Sequence, residues 1–253
     1  MRTYRLTSAL MAFLAICALS VTSGTVSALA GNVRKSDGTL KIFVEYKLAK
    51  DGILIDNNVK VGVASGTITL DGTVPTLYDR TKASAEAHDV CDSYRVINNL
   101  SVTAPRVADR PLAAAVAKRV ENHVFYTVFD WLRVDAKNGV VTLRGWVDNP
   151  WDVNQYESEA SRVPGVTGIV NRLRTERSVG SLRYRVARLI YDDPFYWQYG
   201  MELNPPIHVI VNNDNVILKG YVNSPSESGY LASQVRFRTD AMDVVNNLHV
   251  SPD

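Results

Sequence analysis

Three stretches of this chain repeat one another. The segments "GTITLDGTV" (66–74), "GVVTLRGWV" (139–147) and "NVILKGYV" (215–222) alternate apolar residues around a glycine, and Gly72, Gly145 and Gly220 lie 73 and 75 residues apart. Counted from each glycine, position −4 is Ile68, Val141 or Val216, position −2 is Leu70, Leu143 or Leu218, and position +2 is Val74, Val147 or Val222. A period of two places these side chains on one face of a strand. A second signature follows at a constant distance: "VINNL" (96–100), "IVNRL" (169–173) and "VVNNL" (244–248) each set Asn at +26 and Leu at +28. Self-similarity at this period means one supersecondary unit in three divergent copies.

The unit reads as α-β-β-α-β. Apolar residues four apart mark a first helix through Leu40, Val44 and Leu48, through Leu112, Val116 and Val120, and through Leu182, Val186 and Ile190. Two strands then flank the tight-turn dipeptides Ser65-Gly66, Asn138-Gly139 and Asn213-Asp214. Pro150 and Pro225 open a second helix, because a first turn needs no N–H partner there. The last strand carries the Asn-x-Leu signature. The expectation is an α+β chain of three tandem αββαβ modules, each a small three-stranded sheet with two helices packed on one face. Their expected limits are 38–103, 111–174 and 181–251, joined by linkers short enough that neighbouring modules touch. By alternation the repeat glycine lies on the core face, where a missing side chain would let a helix approach the sheet closely.

Residues 1–30 read as a secretory signal peptide: Arg2 and Arg5 form the basic region, Ala9 to Leu19 the apolar region and Ala28-Leu29-Ala30 the cleavage site. Export to the periplasm follows as the expectation. No other stretch is long and apolar enough to span a bilayer, which predicts a peripheral rather than transmembrane protein. Without the leader, 26 Lys and Arg face 26 Asp and Glu, and this neutrality argues against a nucleic-acid partner. Only Cys91 remains after cleavage; it is either a buried small residue or the site of an intermolecular disulfide.

The hydrophobic-Thr-Leu-x-Gly-x-Val strand and the "RVPGVTGIVNRL" stretch (162–173) resemble the BON, or transport-associated, domain in three tandem copies. An exported, osmotically inducible member of that family has a signal peptide followed by two such domains. The resemblance implies association with phospholipid or the envelope surface, and protection under osmotic or envelope stress. Copies one and three depart from the pattern, with Asp92-Ser93 and Asp240-Ala241 where copy two has Gly-Val.

Catalysis finds little support. His88, His123, His208 and His249 occupy unrelated positions in the copies, without ligand spacing to one another or to Cys91, so no metal and no cofactor is expected. Nucleophile-elbow, P-loop and dinucleotide motifs are missing, and Asp192-Asp193 before Pro194 reads as a helix end. Two binding features stand out instead. Arg172, Arg174, Arg177, Arg183, Arg185 and Arg188 run against the single Glu176, and guanidinium forks suit anionic headgroups. Copy three has 38 residues between its first helical Leu and its strand glycine, against 32 and 33 in the others, and the extra length includes Phe195, Tyr196, Trp197 and Tyr199. These rings suit an interfacial patch, or packing against a neighbouring module. The expectation is a non-catalytic exported protein that binds phospholipid or another envelope component. The alternative is a periplasmic scaffold or chaperone for other exported proteins.

Overall fold

The computed structural model describes residues 36–54, 58–90, 94–175, 181–202 and 204–251. The expected signal peptide, Cys91, Asp92, Ser93 and Arg177 lie outside them. Module one comprises α1 (Asp37–Lys50), β1 (Val59–Ala64), β2 (Thr67–Val74), α2 (Leu77–Val90) and β3 (Arg95–Val102). Module two repeats the order with α3 (Asp109–Glu121), β4 (Trp131–Lys137), β5 (Val140–Val147), α4 (Pro150–Ser161) and β6 (Gly168–Thr175). Module three follows with α5 (Leu182–Tyr191), β7 (Ile207–Asn212), β8 (Asn215–Val222), α6 (Pro225–Arg238) and β9 (Asp243–Val250). A short 3-10 helix, Trp197–Met201, occupies the extra length before β7.

Each sheet has its second strand in the centre, antiparallel to the first and parallel to the third. Both residues of every hairpin dipeptide have positive φ, from 48° at Ser65 to 81° at Gly139, as a two-residue turn between twisted strands requires. That turn sets the register: Lys137 opposes Val140, so Arg133 opposes Arg144 and Trp131 opposes Trp146.

The nine apolar residues that mark the first helices are all buried, and so are the −4, −2 and +2 residues of each central strand. They form three separate cores, one per module. Both helices of a module cover the same sheet face; the opposite face is exposed at Arg133, Arg144 and Arg172 of module two, whereas Ile210 on that face of module three is buried. The repeated asparagine ties the layers together. Asn98, Asn171 and Asn246 each donate from Nδ2 to a carbonyl of the second helix (Arg80, Val153 and Ser228), while Oδ1 accepts from the N–H of the signature leucine. The parallel strand is thereby pinned to the helix that leads into it.

The repeat glycine requires a different reason from the one the alternation suggested. Gly145 has φ +145°, and a Cβ there would lie 2.0 Å from the carbonyl oxygen of Trp131 on the neighbouring strand; no helix is involved. Gly72 and Gly220 meet the carbonyls of Asn58 and Pro206 in the same way, at 1.7 Å. The first strand enters through the space that a side chain would fill. In modules one and three the residue after the glycine donates its N–H to that same carbonyl.

Gly145→Ala should therefore combine a backbone clash with a disfavoured φ and lower unfolding stability by about 3 kcal/mol, the upper end of overpacking costs. Chemical denaturation checks this, and a loss below about 0.5 kcal/mol, outside the overpacking range, would show that the strand adjusts freely. Asn171 also donates to the Glu157 carboxylate at 2.9 Å, so Asn171→Ala should cost about 3 kcal/mol, the net worth of two neutral hydrogen bonds and one to a charged group, in the same measurement.

Candidate functional site

Alternation that buries one face of the middle sheet pushes every other residue outward, and the register arranges those residues in rows. One row is Arg133, Arg144 and Arg172; the next is Trp131, Trp146 and Arg174. Like charges directly opposite one another destabilise a sheet, so three arginines in a row oppose folding unless something else favours them. Asp135 offsets the row in part, with one oxygen 2.6 Å from Arg144 and the other 3.5 Å from Arg133.

Module three adds a fourth strand's worth of chemistry at this edge. Lys219 of β8 holds its ammonium 4.7 Å from the Trp131 ring, and the Arg174 guanidinium lies 5.9 Å from the Trp146 ring. Between them is a pocket of about 330 Å³ lined by Trp131, Arg144, Gly145, Trp146, Arg172, Arg174 and Lys219, with no carboxylate in its wall. Among the described residues, Arg172, Arg174 and Lys219 make no ion pair. A larger cleft of about 530 Å³ shares Trp131 and Lys219 with this pocket and runs between modules two and three past Arg133, His208, Tyr221 and His249.

The joint between these modules is specific. Val209 of β7 donates its N–H to the Val128 carbonyl at 2.8 Å, so the module-two loop caps the free edge of the module-three sheet. Arg183 pairs with Asp148 across the joint and lies against the rings of Phe129 and Tyr184. Modules one and two also touch, through the Arg162 guanidinium 3.5 Å from the Tyr78 ring.

The arginine run read from the sequence is therefore divided. Arg172 and Arg174 face outward on β6. Arg183 serves the joint, Arg185 pairs with Asp240, and Arg188 lies 3.8 Å from Asp192. The aromatic segment divides as well. Phe195 and Trp197 are 58% and 59% exposed, whereas Tyr196 and Tyr199 are buried in the module-three core. Tyr196 donates to the Glu227 carbonyl, and Tyr199 donates to the Glu227 carboxylate at 2.5 Å. Burial, with the Glu227 hydrogen bond second, pushes the Tyr199 phenol up to about 12. Turn geometry decides this split: a 3-10 turn repeats every three residues, so Tyr196 and Tyr199 share its inner side while Phe195 and Trp197 do not.

Trp131, Arg133, Arg144, Trp146 and Lys219 escaped the sequence reading. The outward positions of β4 and β5 carried the signal, because the Asn138-Gly139 turn already aligned them. No group of three or more His, Cys, Asp or Glu side chains is placed to hold a metal among the described residues, and no described helix is long and apolar enough to cross a membrane.

The BON domain model matches residues 36–104, 108–177 and 201–252. The chain belongs to the BON domain family. The third match begins only after the helix and aromatic segment of module three, the region where that BON module has its extra length. An uncharacterized protein encoded in the gshII 5' region of Anaplasma centrale is 24% identical over 148 residues, spanning 56% of this chain and 96% of the relative. Two structures of CdsD, a structural protein of the type III secretion system of Chlamydia trachomatis, overlay at 13% identity. The CdsD C-terminal domain gives a TM-score of 0.25, covering 87% of this chain and 100% of that one. The other gives 0.24, covering 84% and 92%. Overlays at these TM-scores bear on neither fold nor function.

His208 yields a pH prediction for the joint. Burial, opposed by weaker hydrogen bonds to the backbone of Asp130 and Thr127, lowers its imidazole from 6.5 to about 4. The folded chain thus keeps the neutral ring and the unfolded chain binds the proton first, so stability is complete above pH 6.5 and falls as pH drops toward 4. Thermal melts at pH 7 and at about pH 4.5, between the two values, should show a larger loss for the native protein than for His208→Gln. Equal losses would mean that the ring does not govern the acid response.

Proposed function

We propose that this BON protein is an exported, non-catalytic binding protein of the cell envelope that associates with anionic phospholipid through the open sheet face of its middle module. The observation that carries the reading is the pocket wall of four cations and two indoles without a carboxylate. Guanidinium groups grip phosphate oxygens in pairs, and indoles favour the headgroup region of a bilayer. Export, periplasmic residence and a role under osmotic or envelope stress follow from the leader-like N-terminus and the family. Binding of this kind needs no net positive charge on the whole chain, only its concentration on one face.

A second reading, a scaffold for other exported proteins, draws on a different surface. The pair Phe-Tyr recurs five residues past the last buried helical residue of modules two and three, as Phe125-Tyr126 and Phe195-Tyr196. Both phenylalanines are exposed, Phe125 in edge-on contact with exposed Trp151 at 5.1 Å and Phe195 beside Tyr230 at 6.1 Å. Exposed aromatics of this sort suit a protein partner.

Co-sedimentation with anionic vesicles at low salt separates the readings. The protein should pellet with vesicles, and less so as salt rises. Arg172→Ser with Arg174→Ser should weaken binding roughly thirtyfold, by about 1 kcal/mol for each surface cation removed, with no change in melting temperature. Arg185→Ser with Arg188→Ser should leave binding nearly intact, because both side chains already have acidic neighbours. Protein that stays in the supernatant overturns the lipid reading.

A further inference from the structure

We propose that the pocket between Trp131 and Trp146 takes a ligand bearing two phosphates, and that it is a joint site of modules two and three through Lys219. This rests on the reading of the middle-module face as the anion-binding surface, and adds which anion it prefers and what completes it.

The charge balance points to a multiply charged ligand. Cations on a protein surface are ordinarily oriented by carboxylates, which also neutralise them. Here the orienting groups are π faces: Trp131 carries Lys219 and Trp146 carries Arg174. A ring quadrupole holds a cation in place and leaves its charge and its outward N–H donors available. Arg172 makes no ion pair among the described residues, and only Arg144 shares a carboxylate, Asp135, which it divides with Arg133. Three uncompensated cations and a fourth partly compensated one thus line one small volume. A phosphodiester would answer one of them, whereas a diphosphate, or two phosphates on one headgroup, answers most.

Size and placement agree. The pocket of about 330 Å³ is at the lower end of small-ligand sites, roughly 300–1,000 Å³. It is roomier than one phosphate needs and shallow enough for a headgroup presented at a surface. Lys219 reaches it from another module, yet the reach is fixed: Val209 is bonded to Val128 and Arg183 to Asp148. Lys219 also has His208 and Asn247 as its cross-strand neighbours, so its base is held within a paired strand. One phosphate engages the guanidinium groups of the module-two rows, and the other engages the Lys219 ammonium.

The test measures the full protein against four probes. Free orthophosphate and free pyrophosphate are titrated by calorimetry. Vesicles carrying either a monophosphate lipid or a diphosphate-headgroup lipid are compared at equal total negative charge. Pyrophosphate should bind about tenfold more tightly than orthophosphate, the effect of one added hydrogen bond between charged groups. Diphosphate vesicles should exceed charge-matched monophosphate vesicles if the source is a lipid, and only the free probes should differ if it is a soluble diphosphate. Lys219→Gln should remove most of the preference without lowering the melting temperature, and Lys219→Arg should restore it. Equal binding of the members of both pairs, or a preference that survives in Lys219→Gln, overturns the proposal. Vesicle binding that follows charge density alone, with no preference among the free probes, sinks this inference and leaves the phospholipid reading standing. Failure to bind any of the four probes sinks both.

Discussion

Each module depends on how its middle strand meets its first. The carbonyl of the residue just before the one that opposes the central glycine sits where that glycine's Cβ would be, 1.7 to 2.0 Å from that position in all three copies. This close approach belongs to the backbone and leaves no room for relaxation by a flexible side chain. It keeps the antiparallel pair together at the end far from the turn, and the parallel third strand is laid against the same central strand. The repeated asparagine then fastens that third strand to the second helix. A small module with limited apolar area gains its definition from such polar and backbone contacts as much as from burial.

Symmetry among the modules makes their differences informative. Only the middle sheet places arginines in a complete row across three strands. The corresponding outward face of module three includes Ile210, which is buried, and Lys219, which leans toward module two. The segment between α5 and β7 supplies Tyr196 and Tyr199 to the core of module three and leaves Phe195 and Trp197 outside. Divergence has therefore reinforced one module internally, and the joint between modules two and three brings its lysine to the charged face of the other.

A basic face of this kind works against stability. Neighbouring guanidinium groups repel one another, and Asp135 relieves only part of the strain. Such local conflict between charge placement and folding is expected where binding, rather than packing, determines the residues. The surrounding scaffold tolerates it because each hydrophobic core lies on the opposite side of its sheet.

Much of this molecule is legible in its sequence. Periodicity of two and of four is imposed by strand and helix geometry, so spacing alone assigns Leu40, Val116, Ile190 and Leu143 to the interior. The Asn138-Gly139 turn also determines which residues of β4 and β5 face each other, because a two-residue turn admits one register. Arg133 beside Arg144 is implicit in that. Parallel pairing is not legible: the partner of Arg144 on β6 depends on how α4 crosses the sheet, and nothing local specifies it. The reason for the glycine also needs the third dimension, since alternation shows a face but not the carbonyl that fills the space. Lys219 over Trp131 depends on the packing of one module against another, in which residues 88 positions apart meet through contacts that no periodicity records. Local geometry determined the modules; the tertiary structure alone decided which of their charges share one pocket.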